Sequence, residues 1–289
     1  MTARKKVCIL LHEQARYDDT RHPFIWYFAK IWEKSGIEVE ALRGIPDFLP
    51  STDVLIAHVD VTVVPPDYVD FINQFSNVIN GRLTDISKRA ISSDLVGQDD
   101  SYNGKVIVKT DMNYGGVPEM QYEWRSGEKS RFLTHVQRPW SRIDCLDPEK
   151  YPVFDSIKDV PSGVWRNTNL VVEKFIPERE GDLYAGRAAF FMGESSTCMR
   201  VYSRSQIVKG PAILQMEPIE TPAELNEIRK RIGLDYGKID YVVHDGEIHV
   251  LDVNKTLGGV EDEDINWKYA SLLSDGLLPF LDAANSRIQ

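Results

Sequence analysis

Short apolar runs alternate with longer amphipathic stretches through the first part of the chain. Lys6 to Leu11 is a compact apolar run, and Pro23 to Gly36 carries Phe24, Trp26, Tyr27, Ala29, Ile31 and Trp32 at helical spacing, with Gly36 as a stop. Ile37 to Leu42, Asp53 to Val59 and Asn77 to Asn80 read as strands, and Pro66 to Phe75 as a helix turning Tyr68, Phe71 and Ile72 inward. This alternation predicts a parallel sheet with crossover helices. No G-x-G-x-x-G follows Leu11, so this first domain reads as a docking or substrate half rather than a dinucleotide cradle.

From Thr84 the texture changes. A polar helix is expected over Asp85 to Leu95, then a strand from Lys105 to Lys109 running into a loop that ends in Tyr114, Gly115 and Gly116. Pro118 to Asn169 is irregular, holds Trp124, Trp140 and Trp165, and suits a lid, a substrate platform or long loops alike. Leu170 to Ile176, Ala185 to Met192 and Cys198 to Tyr202 read as strands of an antiparallel second half. Thr221, Pro222, Ala223 and Glu224 form a capping-box pattern for a helix closed by Gly233. The expected fold is α/β, turning α+β in the second half. Its expected domains are 1–83 and 84–289, the latter divided into 84–176, with an insert at 117–169, and 177–289.

Composition narrows the function. With 289 residues, 42% hydrophobic, the chain can build more than one core, and a net charge of -10 argues against a broad nucleic-acid footprint. Cys8, Cys145 and Cys198 lie far apart without a C-x-x-C pair, which fits reduced thiols in a cytoplasm better than disulfides or structural zinc. Val7 to Leu11 is too short for a signal-peptide core, and no run is long enough to span a membrane.

The most informative segment is Lys238 to Asn254, a hairpin turning at Asp245-Gly246. Asp252 and Asn254 are two apart on one strand and share a face. A two-residue loop would set Asp240 opposite Leu251 and away from them. A three-residue loop, His244 to Gly246 with a bulge at Gly246, would set Asp240 opposite Val250 and diagonal to Asp252. The bulged loop is the expectation, because three oxygen-bearing side chains at a sheet end are what magnesium takes alongside phosphates.

Two further segments change the odds. The strand Val106-Ile107-Val108 delivers Lys109, and Gly115-Gly116 soon after permit close backbone approach to phosphate oxygens. The strand Val171 to Ile176 is interrupted by the charged pair Glu173-Lys174, as needed where a backbone edge pairs with a purine between apolar neighbours.

In this order the three segments resemble the ATP-grasp superfamily of carboxylate-amine ligases and related kinases, including the group of ribosomal-protein glutamate ligase, glutathione synthetase and D-alanine ligase. The resemblance spans Arg82 to Gly259, and the residues before it resemble the Rossmann-like domain that usually precedes an ATP-grasp domain. It implies ATP and one or two magnesium ions as cofactors, with manganese an acceptable substitute. The family's two lysines correspond to Lys88 and Lys109, and its E-K-x-I hinge, whose main chain reads adenine, to Glu173, Lys174, Phe175 and Ile176. Glu180 and Asp182 compete for the ribose. The metal ligands correspond to Asp240, Asp252 and Asn254, with Asp252 standing where glutamate is commoner. Thr256 to Gly259 is similar to the following turn, without its usual proline.

The resemblance implies a ligase that phosphorylates a substrate carboxylate and lets an amine attack the acylphosphate. A phosphotransferase acting on a hydroxyl is the alternative, and a nucleotide-binding protein without catalysis the third reading. Arg187, Arg200 and Arg204 lie on or beside the middle strands, and Arg187 and Arg204 are the candidates for the transferred phosphoryl group or the substrate carboxylate. Lys255 is a further phosphate candidate, against the reading of a surface lysine. His12, Glu13 and Arg16 follow the first strand as candidates for substrate contact, and His12 or His22 as a base is a weaker idea. The partners expected are small-molecule or peptide carboxylate and amine substrates, with no nucleic acid and no membrane, and a homodimer as the default assembly.

Overall fold

A computed structural model describes residues 4–16, 23–126 and 138–285, and among these the strands form three sheets. In the first, β2 (Glu38–Arg43), β1 (Lys6–Leu11), β3 (Val54–His58) and β4 (Val78–Ile79) lie side by side and parallel. β1 and β3 are buried along nearly their whole length, as strands covered on both faces must be. On one face Leu10 and Leu55 pack with Tyr68, Phe71 and Ile72 of α2 (Pro66–Ile72). On the other, Val7, Ile9 and Ile56 pack with Phe28 and Trp32 of α1 (Ile25–Lys34). That second cluster also takes in Ala270 and Leu273 of α7 (Glu263–Leu273), Leu281 of α8 (Leu278–Asn285), and Met192 and Tyr236. The C-terminal helices therefore join the first sheet to the rest of the chain, and the Trp32 indole N–H secures the contact by donating to the Ser274 carbonyl at 3.0 Å.

A small antiparallel sheet has β5 (Val106–Thr110) between β6 (Val153–Phe154) and β7 (Leu170–Lys174). Ile143, Leu146, Tyr151 and Val164 cover it. The largest sheet runs β11 (Ile213–Ile219), β10 (Ser195–Ser203), β9 (Leu183–Met192), β12 (Tyr236–His244), β13 (Glu247–Asn254), with β8 (Glu178–Glu180) paired to β9. One face packs on Leu225 and Ile228 of α6 (Ala223–Ile232). The other carries the polar cluster described below.

Three local expectations are corrected. The helix read over Asp85 to Leu95 is only α3 (Lys88–Ile91), because the chain then runs alongside β7, where Val96 N–H donates to the Val172 carbonyl and Lys174 N–H to the Asp94 carbonyl. The stretch read as irregular holds α4 (Val117–Arg125), β6 and α5 (Ser162–Trp165). The capping box does not form: Pro222 occupies the N-cap, and the Thr221 hydroxyl meets that of Ser196 at 3.2 Å instead. Gly233 does end α6, at φ +81°.

Candidate active site

The β12–β13 hairpin sets the site, and it is built differently from the expectation. His244 pairs with Glu247, so the loop is two residues, Asp245 and Gly246, with φ of 50° and 83°. Two successive positive φ values match the twist of the flanking strands, which is why this short turn prevails over a three-residue loop. The bulge lies farther along, at Leu251: Tyr241 pairs with Val250, and the next pair is Asp240 with Asp252. One extra residue on β13 shifts its phase. Ile248, Val250 and Val253 consequently all pack toward the α6 side, while Asp252 and Asn254 face the other way, opposite Asp240 and Lys238. The oxygen cluster thus assembles through a bulge at a different position. The displaced Leu251 carbonyl lies 3.4 Å from Lys109 Nζ.

Lysines from separate elements converge on this face. Lys88 Nζ, at the start of α3, bonds Asp252 Oδ1 at 2.8 Å, with both side chains buried. Lys109 Nζ, brought in by β5, bonds Glu173 Oε2 of β7 at 2.5 Å, also buried. Lys238 bonds Asp240 at 2.8 Å along β12. Burial raises the Asp252 carboxyl, but Lys88, Lys209 and Lys109 outweigh it and hold Asp252 below the ordinary carboxylate value. Burial lowers Lys209, which the charges of Asp252 and Asp240 oppose. For Lys238 the balance reverses: Asp240 outweighs burial and the ammonium is raised. Four lysines thus meet three carboxylates, Asp240, Asp252 and Glu173, leaving a positive surplus within an acidic protein. Such a surplus suits a polyphosphate.

Lys209 and Lys238 escaped the sequence reading. Lys238 was legible, two residues before Asp240 on the same face. Lys209 sits in the β10–β11 connection, its ammonium 5.5 Å from the Tyr151 ring centroid, and only folding brings it here.

The glycine loop borders the cluster on the side of the loop after β3. Tyr114, Gly115 and Gly116 have φ of 45°, 67° and 81°, and a Cβ on Gly115 would lie 2.7 Å from the Leu146 carbonyl oxygen. Glycine is needed here for handedness and for close backbone packing. Asn113, at the start of the loop, anchors it through its N–H on Thr62 Oγ1 at 2.9 Å and its Nδ2 on Asn254 Oδ1 at 3.1 Å.

The remaining candidates scatter. Lys174 N–H and Phe175 N–H are taken by the Asp94 and Lys105 carbonyls, while among the described residues nothing meets the N–H of Ile176 where the strand has ended. Glu180 is largely exposed and bonds Arg200 at 3.0 Å, and Asp182 is exposed in the β8–β9 turn. Arg187 pairs across the sheet with Tyr241, so it points to the α6 side, opposite to Asp240. There it grips the buried Glu178 with contacts of 2.8 to 3.2 Å. Arg204 is exposed in the loop after β10. Arg187 thus lies on the face of the large sheet opposite the lysine and carboxylate cluster. His12 is stacked on Tyr122, ring centroids 4.2 Å apart, and accepts the Gln14 N–H, while Arg16 is exposed. His22 lies outside the described residues. Lys255 is no surface lysine: it is 2% exposed, and burial brings its ammonium down to about 8 against the pull of Asp60, Glu119 and Asp85.

The donor set fits magnesium, which takes oxygen ligands and keeps part of its shell for water and phosphate. Asp240, Asp252 and Asn254 offer three oxygens on one face, and the Lys88 and Lys238 cations already balance the two carboxylates as a divalent ion would. Among the described residues no group of three or more His, Cys, Asp or Glu is placed to hold a metal ion by itself.

No family model matches the sequence, and no curated protein matches it. Solved structures do. PsnB, an ATP-grasp ligase complexed with minimal precursor, Mg and ADP, matches with a TM-score of 0.53 at 12% identity, over 97% of this chain and 99% of that chain. D-alanine–D-alanine ligase from Bacillus anthracis matches at 0.48 and 13% identity over 98% of each chain. A RimK domain ATP-grasp protein from Sphaerobacter thermophilus DSM 20745 matches at 0.49 and 11% identity over 94% of this chain and 99% of that one. The chain has the ATP-grasp fold.

Proposed function

We propose that this protein is an ATP-dependent ligase that joins a carboxylate to an amine, using MgATP bound between the small sheet and the polar face of the large one. The observation that carries the proposal is the convergence of Lys88, Lys109, Lys209 and Lys238 on the Asp240–Asp252 pair. The fold shared with PsnB, whose complex contains Mg and ADP, supports it. Magnesium, held by Asp240, Asp252 and Asn254, would neutralise phosphate charge and orient the terminal phosphate. Phosphoryl transfer asks mainly for positioning and charge balance. Lys88, Lys109 and Lys209 supply the cations, and the ends of β7 and Ile176 N–H face adenine. Of the two ribose candidates, Glu180 and Asp182, we favour Glu180, since it continues a strand.

A substrate carboxylate oxygen attacks the γ-phosphorus as the bond to the bridging oxygen breaks and ADP departs. The amine nitrogen then attacks the acyl carbon, the bond to the phosphate oxygen breaks, and the amine's proton leaves to phosphate or water.

Hydroxylamine separates this reading from phosphotransfer to a hydroxyl. With MgATP and pooled free amino acids and short peptides as acids, a ligase yields ADP and a hydroxamate. A stable phosphate ester without hydroxamate would replace the ligase by a kinase.

A further inference from the structure

Both carboxylates of the metal face already hold an ammonium. Lys238 Nζ lies 2.8 Å from Asp240 Oδ2, and Lys88 Nζ lies 2.8 Å from Asp252 Oδ1, which also accepts the Val253 N–H. The two lysines differ in setting. The Lys88 side chain is 2% exposed and comes from α3, whereas the Lys238 side chain is 28% exposed and comes from β12 itself. Lys238 pairs with Asn254 across the hairpin as Asp240 pairs with Asp252, so these four side chains make one block on one face of the sheet.

The oxygens that remain decide how many ions this block can take. Asp240 keeps Oδ1, Asp252 keeps Oδ2, and the Asn254 oxygen, which accepts from Asn113 Nδ2 at 3.1 Å, keeps a second lone pair. Three protein oxygens suffice for one magnesium ion completed by phosphate and water. Two ions, about 3.5–4 Å apart around a phosphoryl group, would have to divide the three between them. Releasing a fourth oxygen means moving Lys238 off Asp240, where Lys88, Lys109 and Lys209 already crowd the neighbouring Asp252 with positive charge. We infer that the Lys238 ammonium, fixed on Asp240, stands in one of two cation places on this face, so that the site takes a single divalent ion with ATP. This rests on the metal site of the ligase reading and adds a positioning residue to it: Lys238 sets the ion count and leaves Asp240 one oxygen for the metal. A lysine that merely covered an aspartate would leave the ion count unchanged on its removal.

The test counts ions. The full chain is saturated with a non-hydrolysable ATP analogue and titrated with Mn2+, free Mn2+ being read by its paramagnetic resonance signal. The variant combining Asp252→Asn with Asn254→Ala gives the background of an acidic surface. One Mn2+ per chain above that background is expected, with the spectrum of an isolated ion. Lys238→Met should take two, and ions about 3.5–4 Å apart couple magnetically, which changes the line shape as scattered surface ions do not. Lys238→Arg, which keeps a cation, should stay at one. Two coupled ions in the unaltered protein, or a single ion in Lys238→Met, would overturn the inference and leave the metal site standing. No Mn2+ above background in the unaltered protein would remove the metal site itself, and the inference with it. The count on unaltered protein does not depend on a variant folding, and Lys238→Gln repeats the comparison if Lys238→Met lacks a cooperative melt.

Discussion

Lys88 and Asp252, 164 positions apart in the chain, meet at 2.8 Å with both side chains buried. This contact fixes the short helix α3 against the bulged strand and places a cation on the carboxylate proposed to hold magnesium. Breaking a buried ion pair by removing one partner costs about 3–5 kcal/mol, because the other charge stays behind. Lys88→Met is therefore expected to lower unfolding free energy by about that much in a denaturant titration. Asp252→Asn, which retains an oxygen for Lys88, should cost clearly less.

Asn80 clasps the first sheet to the large one. Its side chain accepts from the N–H groups of Asp235 and Tyr236, both at 2.9 Å, and donates to the carbonyls of Tyr236 and Lys255. Each buried group left without its partner costs about 1–3 kcal/mol. Asn80→Ala should destabilise by at least about 3 kcal/mol in the same titration. A loss below 1 kcal/mol would show that water or a neighbour replaces the amide.

The bulge at Leu251 makes an unusual prediction. Because Tyr241 pairs with Val250 and Asp240 with Asp252, deleting Leu251 leaves both registers in place and removes only the extra residue. The deletion variant should keep its fold, by circular dichroism and a cooperative melt, while binding MgATP more weakly for want of the carbonyl beside Lys109. An unfolded product would mean that the bulge is required for pairing.

Glu178 supplies a pH dependence. Burial pushes its carboxyl up, but hydrogen bonds from Arg187 and the Val243 N–H, with the charges of Arg187 and Arg200, hold it below the ordinary value. A folded-state value below the unfolded one means stability that is present above the usual carboxylate range and lost as pH falls through the folded-state value. Glu178→Gln should flatten the acid limb of a stability-against-pH curve. An unchanged limb would remove Glu178 from the account.

The parallel first sheet was legible because buried strands and amphipathic helices alternate cleanly there, and Tyr68, Phe71 and Ile72 face inward as read. The hairpin was half legible. Ile248, Val250 and Val253 change hydrophobic phase between the last two, which only an extra residue between them can accommodate, so the bulge was written in the apolar pattern while the turn chemistry drew attention elsewhere. The helix expected over Asp85 to Leu95 failed because edge pairing with β7 outweighs weak helical propensity. That Arg187 would lie on the face opposite Asp240 was not legible, because sequence spacing does not tell which face of β9 carries which neighbour. Lys209 depends on contacts between distant segments and nothing local marks it, while Lys255 was singled out beside the metal strand but its burial was not legible.

Thermal stability with ATP, with magnesium and with both, in the unaltered protein and in the variant combining Asp252→Asn with Asn254→Ala, tests the central claim most directly. Ligand at a hundred times its dissociation constant adds about 2.7 kcal/mol. The account predicts an upshift of that order with MgATP, a smaller one with ATP alone, and loss of the magnesium-dependent part in the variant. An equal upshift in both proteins would contradict the metal site, and no upshift in the unaltered protein would contradict the nucleotide site itself.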